Sequence, residues 1–141
     1  METLTQRLTG RGWRMTAQRR VIARVFDAAG AEHIHLTADD VLERAVAVLP
    51  EISRATVYNT LGEMVDAGEV LAVNVGDRVT RYDPNVAKTH HHLVCEVCSS
   101  IFDVQAEVLP SANTADVAAI APGFVIESAD VIFRGRCACC R

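Results

Sequence analysis

Two cysteine pairs set the strongest limit on how this chain of 141 residues can fold. The first is Cys95-Glu96-Val97-Cys98. The second, Cys137 and Cys140 in Cys137-Ala138-Cys139-Cys140, comes at the end of the sequence. CxxC spacing puts two thiolates on one turn, where they can hold one ion, and two such turns meeting in space make a closed tetrahedral zinc site. A fold that satisfies both pairs ties the C-terminus back to the middle of the chain. A redox-active dithiol is the other reading of the same spacing. His90-His91-His92, just before the first pair, is a second potential metal feature.

Half the residues are apolar, enough for one ordinary domain or two small ones. The sequence opens without a basic segment followed by an apolar core, and no apolar run approaches the ~20 residues of a membrane span. These features predict a cytoplasmic protein with no membrane partner, in a reducing compartment where CxxC pairs favour metal over disulfide. The 14 Lys and Arg against 18 Asp and Glu leave a net charge of −4, which does not advertise nucleic acid. Arg7, Arg11, Arg14, Arg19, Arg20 and Arg24 nevertheless gather near the start against Glu2 alone. Such a cluster can touch phosphates, or it can be a solvated helix face.

The pattern separates into residues 1–83 and residues 84–141, with the join at the turn residues Pro84-Asn85. In the first part Thr16 is placed to cap a helix carrying Val21, Ile22, Val25 and Phe26 on one face. Thr37 with Asp40 resembles a capping box, and its helix, with Val41, Leu42, Ala45 and Leu49, stops at Pro50. Ser53 caps a third helix with Val57, Leu61, Met64 and Val65 inward, Arg54, Ala55, Tyr58 and Asn59 outward, and Gly68 at its end. Val70 to Tyr82 then reads as a hairpin around Gly76-Asp77. Three helices followed by a hairpin is the order of a winged helix-turn-helix. The third helix would be the recognition helix, with Arg78 at the hairpin tip on the DNA backbone. A small helical domain with no nucleic-acid role has the same periodicity. The second part reads as strand, knuckle, strand, helix, strand.

His90 and His92 stand at i, i+2 in an apparent strand and project to one face, whereas His91 points the other way. Asp83 ends the hairpin, Asp103 follows the first cysteine pair, and His35 sits just before the Thr37 cap. If the two parts fold together, His35, Asp83, His90, His92 and Asp103 offer three nitrogens and two oxygens, a set suited to Fe(II), Mn(II) or Zn(II). Otherwise the two aspartates are ordinary turn carboxylates.

Arg14-Met15-Thr16-Ala17-Gln18-Arg19, Ser53-Arg54-Ala55-Thr56-Val57-Tyr58, the run from His90 to Cys98, and the terminal Cys137 and Cys140 occur here in one order. In that order the chain resembles the ferric uptake regulator family of metal-dependent repressors over nearly its full length. The resemblance implies an α+β protein: an N-terminal winged helix-turn-helix, then a small α/β dimerisation domain with a structural zinc site. It also implies a homodimer on a palindromic double-stranded operator. It carries structural Zn(II) over to Cys95, Cys98, Cys137 and Cys140, with Cys139 a departure from the usual spacer. The regulatory metal, Fe(II) or Mn(II), carries over to His35, Asp83, His90, His92 and Asp103. DNA contact carries over to Arg14, Thr16 and Arg19 and to the segment holding Ser53, Arg54, Ala55, Thr56, Tyr58 and Asn59. A further metal site known in the family is implied to be absent, because Glu127-Ser128-Ala129-Asp130 holds no histidine.

The His and Asp ligand set looks like the peroxide-responsive branch, including repressors of catalase genes. Hydrogen peroxide would then be the signal, and oxidation of His35 or His90 to 2-oxo-histidine would release metal and DNA. An iron, manganese or zinc uptake repressor is the alternative within the family. No nucleophile, general base or substrate pocket supports a non-haem iron or zinc enzyme, so no enzymatic activity is expected. A zinc-stapled interaction module without DNA binding is the remaining alternative.

Overall fold

The computed structural model describes residues 2–31, 34–86, 90–105, 114–126 and 129–141. It divides into two units, Met1–Lys88 and Thr89–Arg141. Pro84 belongs to the first, where its carbonyl accepts a hydrogen bond from Arg7 at 2.9 Å.

The first unit opens with a helix absent from the sequence reading, α1 (Leu4–Gly10). It is too short for a periodic signal, but Thr3 and Gln6 close a capping box and Leu4 and Leu8 are buried. Helix α2 (Ala17–Ala31) starts after Thr16, whose hydroxyl accepts from the Arg19 backbone N–H at 3.3 Å. Ile22, Val25 and Phe26 face the core as the spacing predicts, with Val21 at its margin. Helix α3 (Ala38–Val48) has the capping box of Thr37 and Asp40 in full. Helix α4 (Arg54–Asp66) is capped by Ser53 and buries Val57, Leu61 and Met64. Its end is a Schellman motif: Gly68, at φ 72°, donates to Val65 O at 2.9 Å, and Glu69 donates to Met64 O at 2.9 Å.

Strands β1 (Leu36–Thr37), β2 (Leu71–Asn74) and β3 (Thr80–Asp83) form an antiparallel sheet in the order β1-β3-β2. The turn between β2 and β3 is longer than the Gly76-Asp77 pair suggests. Asn74 Oδ1 accepts from Gly76 N and Asp77 Oδ1 accepts from Val79 N, while Val75 is buried inside the loop. Gly76 and Arg78 take φ of 90° and 63°. Helices α3 and α4 are the helix-turn-helix and the hairpin is the wing.

One buried charge ties this unit together. Glu69 is fully buried, with Arg7 Nε at 3.0 Å and Arg11 Nε at 2.7 Å from its carboxylate. Arg7 also donates to Glu69 O at 2.7 Å. The arginine run is therefore divided: Arg7 and Arg11 serve an internal carboxylate, a role that neither phosphate contact nor a solvated helix face describes. The sequence pattern could not show this, because the partner lies 62 positions from Arg7.

In the second unit β4 (His91–Cys95) is the central strand, with β5 (Ile101–Val104) antiparallel on one side and β6 (Ile132–Gly135) parallel on the other. The crossover to β6 includes α5 (Thr114–Ile120), as a parallel neighbour requires. A 3-10 turn at Ala138–Cys140 follows β6. Phe102, Leu93 and Phe133 line up across the three strands and are 48%, 42% and 39% exposed. The architecture is α+β, a winged helix-turn-helix followed by a small α/β unit. Among the described residues no helix is long and apolar enough to cross a membrane.

Replacing Arg7 with Met removes one partner of the buried Glu69 carboxylate. Breaking a buried pair from one side costs about 3 kcal/mol. Urea unfolding followed through the protein's single tryptophan, Trp13, is expected to show a loss of that size for Arg7→Met. A change below about 0.5 kcal/mol, the ordinary range of a surface substitution, would contradict the role given to the pair.

Candidate metal centres

The cysteine centre follows from the register of β4 and β6. These strands run parallel, with Cys95 beside Gly135, so both chains leave the sheet at the same end. After β4 the chain makes a tight knuckle: Ser99 N donates to Cys95 O at 2.9 Å, Cys95 N donates to Ser100 O at 3.0 Å, and Ser99 takes φ 61°. After β6, Cys140 N donates to Cys137 O at 3.0 Å, closing the 3-10 turn. The sulfurs of Cys95, Cys98, Cys137 and Cys140 consequently lie within 4.8 Å of one another. Cys98 Sγ and Cys137 Sγ are 3.8 Å apart. Zn–S bonds of ~2.3 Å in a tetrahedron require an S···S distance of about 3.8 Å, whereas a disulfide needs about 2.05 Å.

The electrostatics favour thiolate on the first pair. The Cys98 backbone N–H, followed by those of Cys137 and Val97, lowers the Cys95 pKa to about 6. The Ser100 hydroxyl, 3.0 Å away, lowers that of Cys98. The two thiols of the second pair resist ionisation: that of Cys137 is raised, and Cys140, facing Cys137 and then Cys98, is pushed up to about 12. A divalent cation removes this conflict by replacing the protons. Cys139 is exposed and stands outside the group.

The histidine and aspartate candidates form a set within each unit. In the first unit, β1 pairs with β3 so that Leu36 lies opposite Tyr82, which brings the neighbouring His35 and Asp83 together. His35 Nε2 is 3.2 Å from Asp83 Oδ2, and both side chains are about 95% buried, at 4% and 5% exposure. The other oxygen, Asp83 Oδ1, accepts from Asn85 N at 2.8 Å. In the second unit, the β4–β5 register places His92 directly across from Asp103. His90, two residues earlier, projects to the same side. Asp103 Oδ1 lies 3.5 Å from Nε2 of each of these histidines, and the two rings pack edge to face at 4.9 Å. His91 faces away and has a structural bond: Nδ1 accepts from Val131 N at 3.1 Å, fastening the entry to β6. Of the histidine-free segment 127–130, Glu127 and Ser128 lie outside the described residues.

The capping Ser53 is exposed, as are Arg54, Ala55, Tyr58 and Asn59 on α4, and Thr56 is half-buried. Arg14 and Arg78 are exposed as well. Thr16 caps α2. Arg19 packs over Trp13 at 5.0 Å and pairs with Glu63 at 2.7 Å, so both residues also have work inside the unit. Arg54 Nη1 donates to Asp39 Oδ1. Asp39 has no place in the sequence reading, and the only signal for it was a second acid beside the capping Asp40.

Comparison with known proteins bears on the whole arrangement. The model of the Ferric uptake regulator family matches residues 10–133. The chain is 34% identical over 131 residues to "Ferric uptake regulation protein 1" of Mycolicibacterium fortuitum, covering 92% of this chain and 76% of that protein. It is 38% identical over 94 residues to the "Peroxide-responsive repressor PerR" of Staphylococcus aureus, covering 67% and 61%. Among solved structures, a "zinc-bound manganese uptake regulator" superposes with a TM-score of 0.69 at 29% identity, covering 96% of this chain and 98% of the other. With the winged unit, the cysteine group and this match together, the chain belongs to the ferric uptake regulator family of metal-responsive transcriptional regulators.

Proposed function

We propose that the protein is a homodimeric, metal-dependent repressor that binds a palindromic DNA operator and responds to hydrogen peroxide. The observation that carries the metal dependence is the pairing of imidazole with aspartate in each unit: His35 with Asp83, and His90 and His92 with Asp103. Each set alone is short of a full coordination shell. Together they supply three nitrogens and two oxygens, donors that suit Fe(II) or Mn(II). Cys95, Cys98, Cys137 and Cys140 suit Zn(II) as a permanent staple, since four thiolates close the shell. The exposed row of Phe102, Leu93 and Phe133 supports dimerisation, because a second copy would remove it from water.

Ligands from both units let a labile ion fix their mutual angle, and in a dimer that angle sets the spacing of the two α4 helices on DNA. The ion then acts through differential affinity for the DNA-competent form. A full swing of occupancy needs a difference of about 10⁴, or about 5.5 kcal/mol. Ser53, Arg54, Ala55, Thr56, Tyr58 and Asn59 of the α4 segment, with Arg78 on the wing and Arg14, Thr16 and Arg19 near α2, would make the DNA contacts.

Peroxide response is supported by the aspartate-containing ligand set and by the 38% identity to a peroxide-responsive repressor. His35, Asp83, His90, His92 and Asp103 would hold Fe(II), which would supply the chemistry that splits the O–O bond of hydrogen peroxide, one oxygen leaving as water and the other entering an imidazole that gives up two electrons. A ring carbon of His35 or His90 would take that oxygen, and an imidazole with a ring oxygen is a poorer ligand. Regulation of iron, manganese or zinc uptake is the second reading. It is favoured by the longer match, over 131 residues, to a ferric uptake regulation protein.

His35→Ala is expected to keep zinc and the fold but to weaken Mn(II)-dependent operator binding at least tenfold, measured by fluorescence anisotropy. Wild-type affinity in that variant would remove His35 from the regulatory site. Peroxide treatment of the Fe(II) form, followed by peptide mass spectrometry, separates the two readings. One added oxygen on the peptide holding His35 or His90 supports peroxide sensing, and unmodified peptides from protein released by metal depletion alone support uptake control.

A further inference from the structure

The exposed start of α4 carries a cation that helix stability does not explain, bonded to an acid that the dipole of α3 favours. Arg54 is the first residue of the helix, where a cation opposes the helix dipole. Its guanidinium is bonded to Asp39, in the first turn of α3. Both side chains are open to solvent, 62% and 69% exposed, and an exposed pair of this kind adds little to stability. Asp39 is not needed as a cap either, because Thr37 and Asp40 complete the capping box without it. It holds the Arg54 proton more tightly, and Tyr58, one turn along α4 and 47% exposed, adds to that hold. Asp39 and Tyr58 also line a surface hollow of about 290 Å³ that extends to Arg78 on the wing.

Under the reading of α4 as the helix that enters DNA, a carboxylate at this place is costly for general affinity. It puts a negative charge on the surface that meets phosphates. Its compensating effect is geometric. A guanidinium has five N–H donors in a rigid plane. The Nη1 bond to Asp39 restricts the rotamer of Arg54, whose side chain is 62% exposed and so keeps donors open to solvent. A guanidinium held this way and open to solvent can offer two N–H groups to O6 and N7 of a guanine in the major groove. Resting on the proposed DNA-binding role of α4, we propose that Asp39 is a positioning residue that aims Arg54 at a guanine, lowering general affinity for DNA while raising selectivity.

The test uses the full chain, zinc-replete and loaded with Mn(II). A duplex is first selected by the wild-type protein from a randomised library. Binding to that duplex, to single-base variants of it and to a scrambled duplex is then measured by fluorescence anisotropy at one salt concentration. Wild type, Asp39→Asn, Arg54→Ala and the double variant are compared. Asp39→Asn is expected to lose about tenfold of the preference for one guanine in each half-site, while its affinity for the scrambled duplex stays level or rises. Arg54→Ala is expected to lose the same preference, and adding Asp39→Asn to it should change that preference no further. The inference is overturned if Asp39→Asn keeps the wild-type preference, or weakens both duplexes equally with a lowered thermal midpoint, as a plain structural role would. It is also overturned if no selected guanine depends on Arg54. A wild-type protein that selects no sequence at all overturns the reading of α4 itself, and this inference with it.

Discussion

The parallel pairing of β4 with β6 is the constraint from which the second unit follows. Parallel strands leave a sheet at the same end, so the knuckle after Cys95 and the turn after Cys137 must meet. An antiparallel partner in the same place would carry the second cysteine pair to the far end. The period of two along β4 then sorts the chemistry. His90 and His92 project to the side of Asp103. Leu93 turns to the opposite side, between Phe102 and Phe133. His91 is held by the Val131 N–H. The segment from His90 to Cys95 thus carries candidate metal ligands, one member of an exposed apolar row and the bond that fastens the entry to β6.

The first unit is organised by different physics. Its helices are bounded by side-chain caps at Thr3, Thr37 and Ser53, and its centre is an apolar cluster drawn from all four of the helices described there. The exception is Glu69, whose buried carboxylate needs Arg7 and Arg11 to compensate its lost hydration. That network spans α1, the end of α4 and the exit from the wing, where Arg7 also reaches Pro84 O. The wing in turn brings Asp83 to His35, because the β1–β3 register sets Leu36 opposite Tyr82 and so places the residues next to them side by side.

Local features were legible from residue order. The caps at Thr16, Thr37 and Ser53, the inward faces of the three longer helices and the glycine end of α4 depend on neighbours a few positions away. The two CxxC units were legible because thiolate spacing and metal geometry are tightly linked. What could not be read depends on distance along the chain. The Arg7–Glu69 bond joins residues 62 apart, and the β4–β6 pairing rests on a crossover rather than a turn. Helix α1 was missed because seven residues give too few turns for a periodic pattern. Asp39 was missed because an acid at a helix start has an ordinary explanation, and only the bond to Arg54 gives it another. Likewise the wing turn was read as two residues because the burial of Val75 has no local signature.

We propose that this protein holds two kinds of metal in two chemical settings: a thiolate staple that is part of the fold, and a labile ion on histidine and aspartate. Native mass spectrometry of the purified protein, before and after a mild chelator and with Mn(II) supplied, tests it most directly. The expected result is a dimer that keeps one zinc per chain through chelation and takes up and loses one further ion per chain. A protein that loses all its metal in one step, or that stays a single chain with zinc bound, would contradict it.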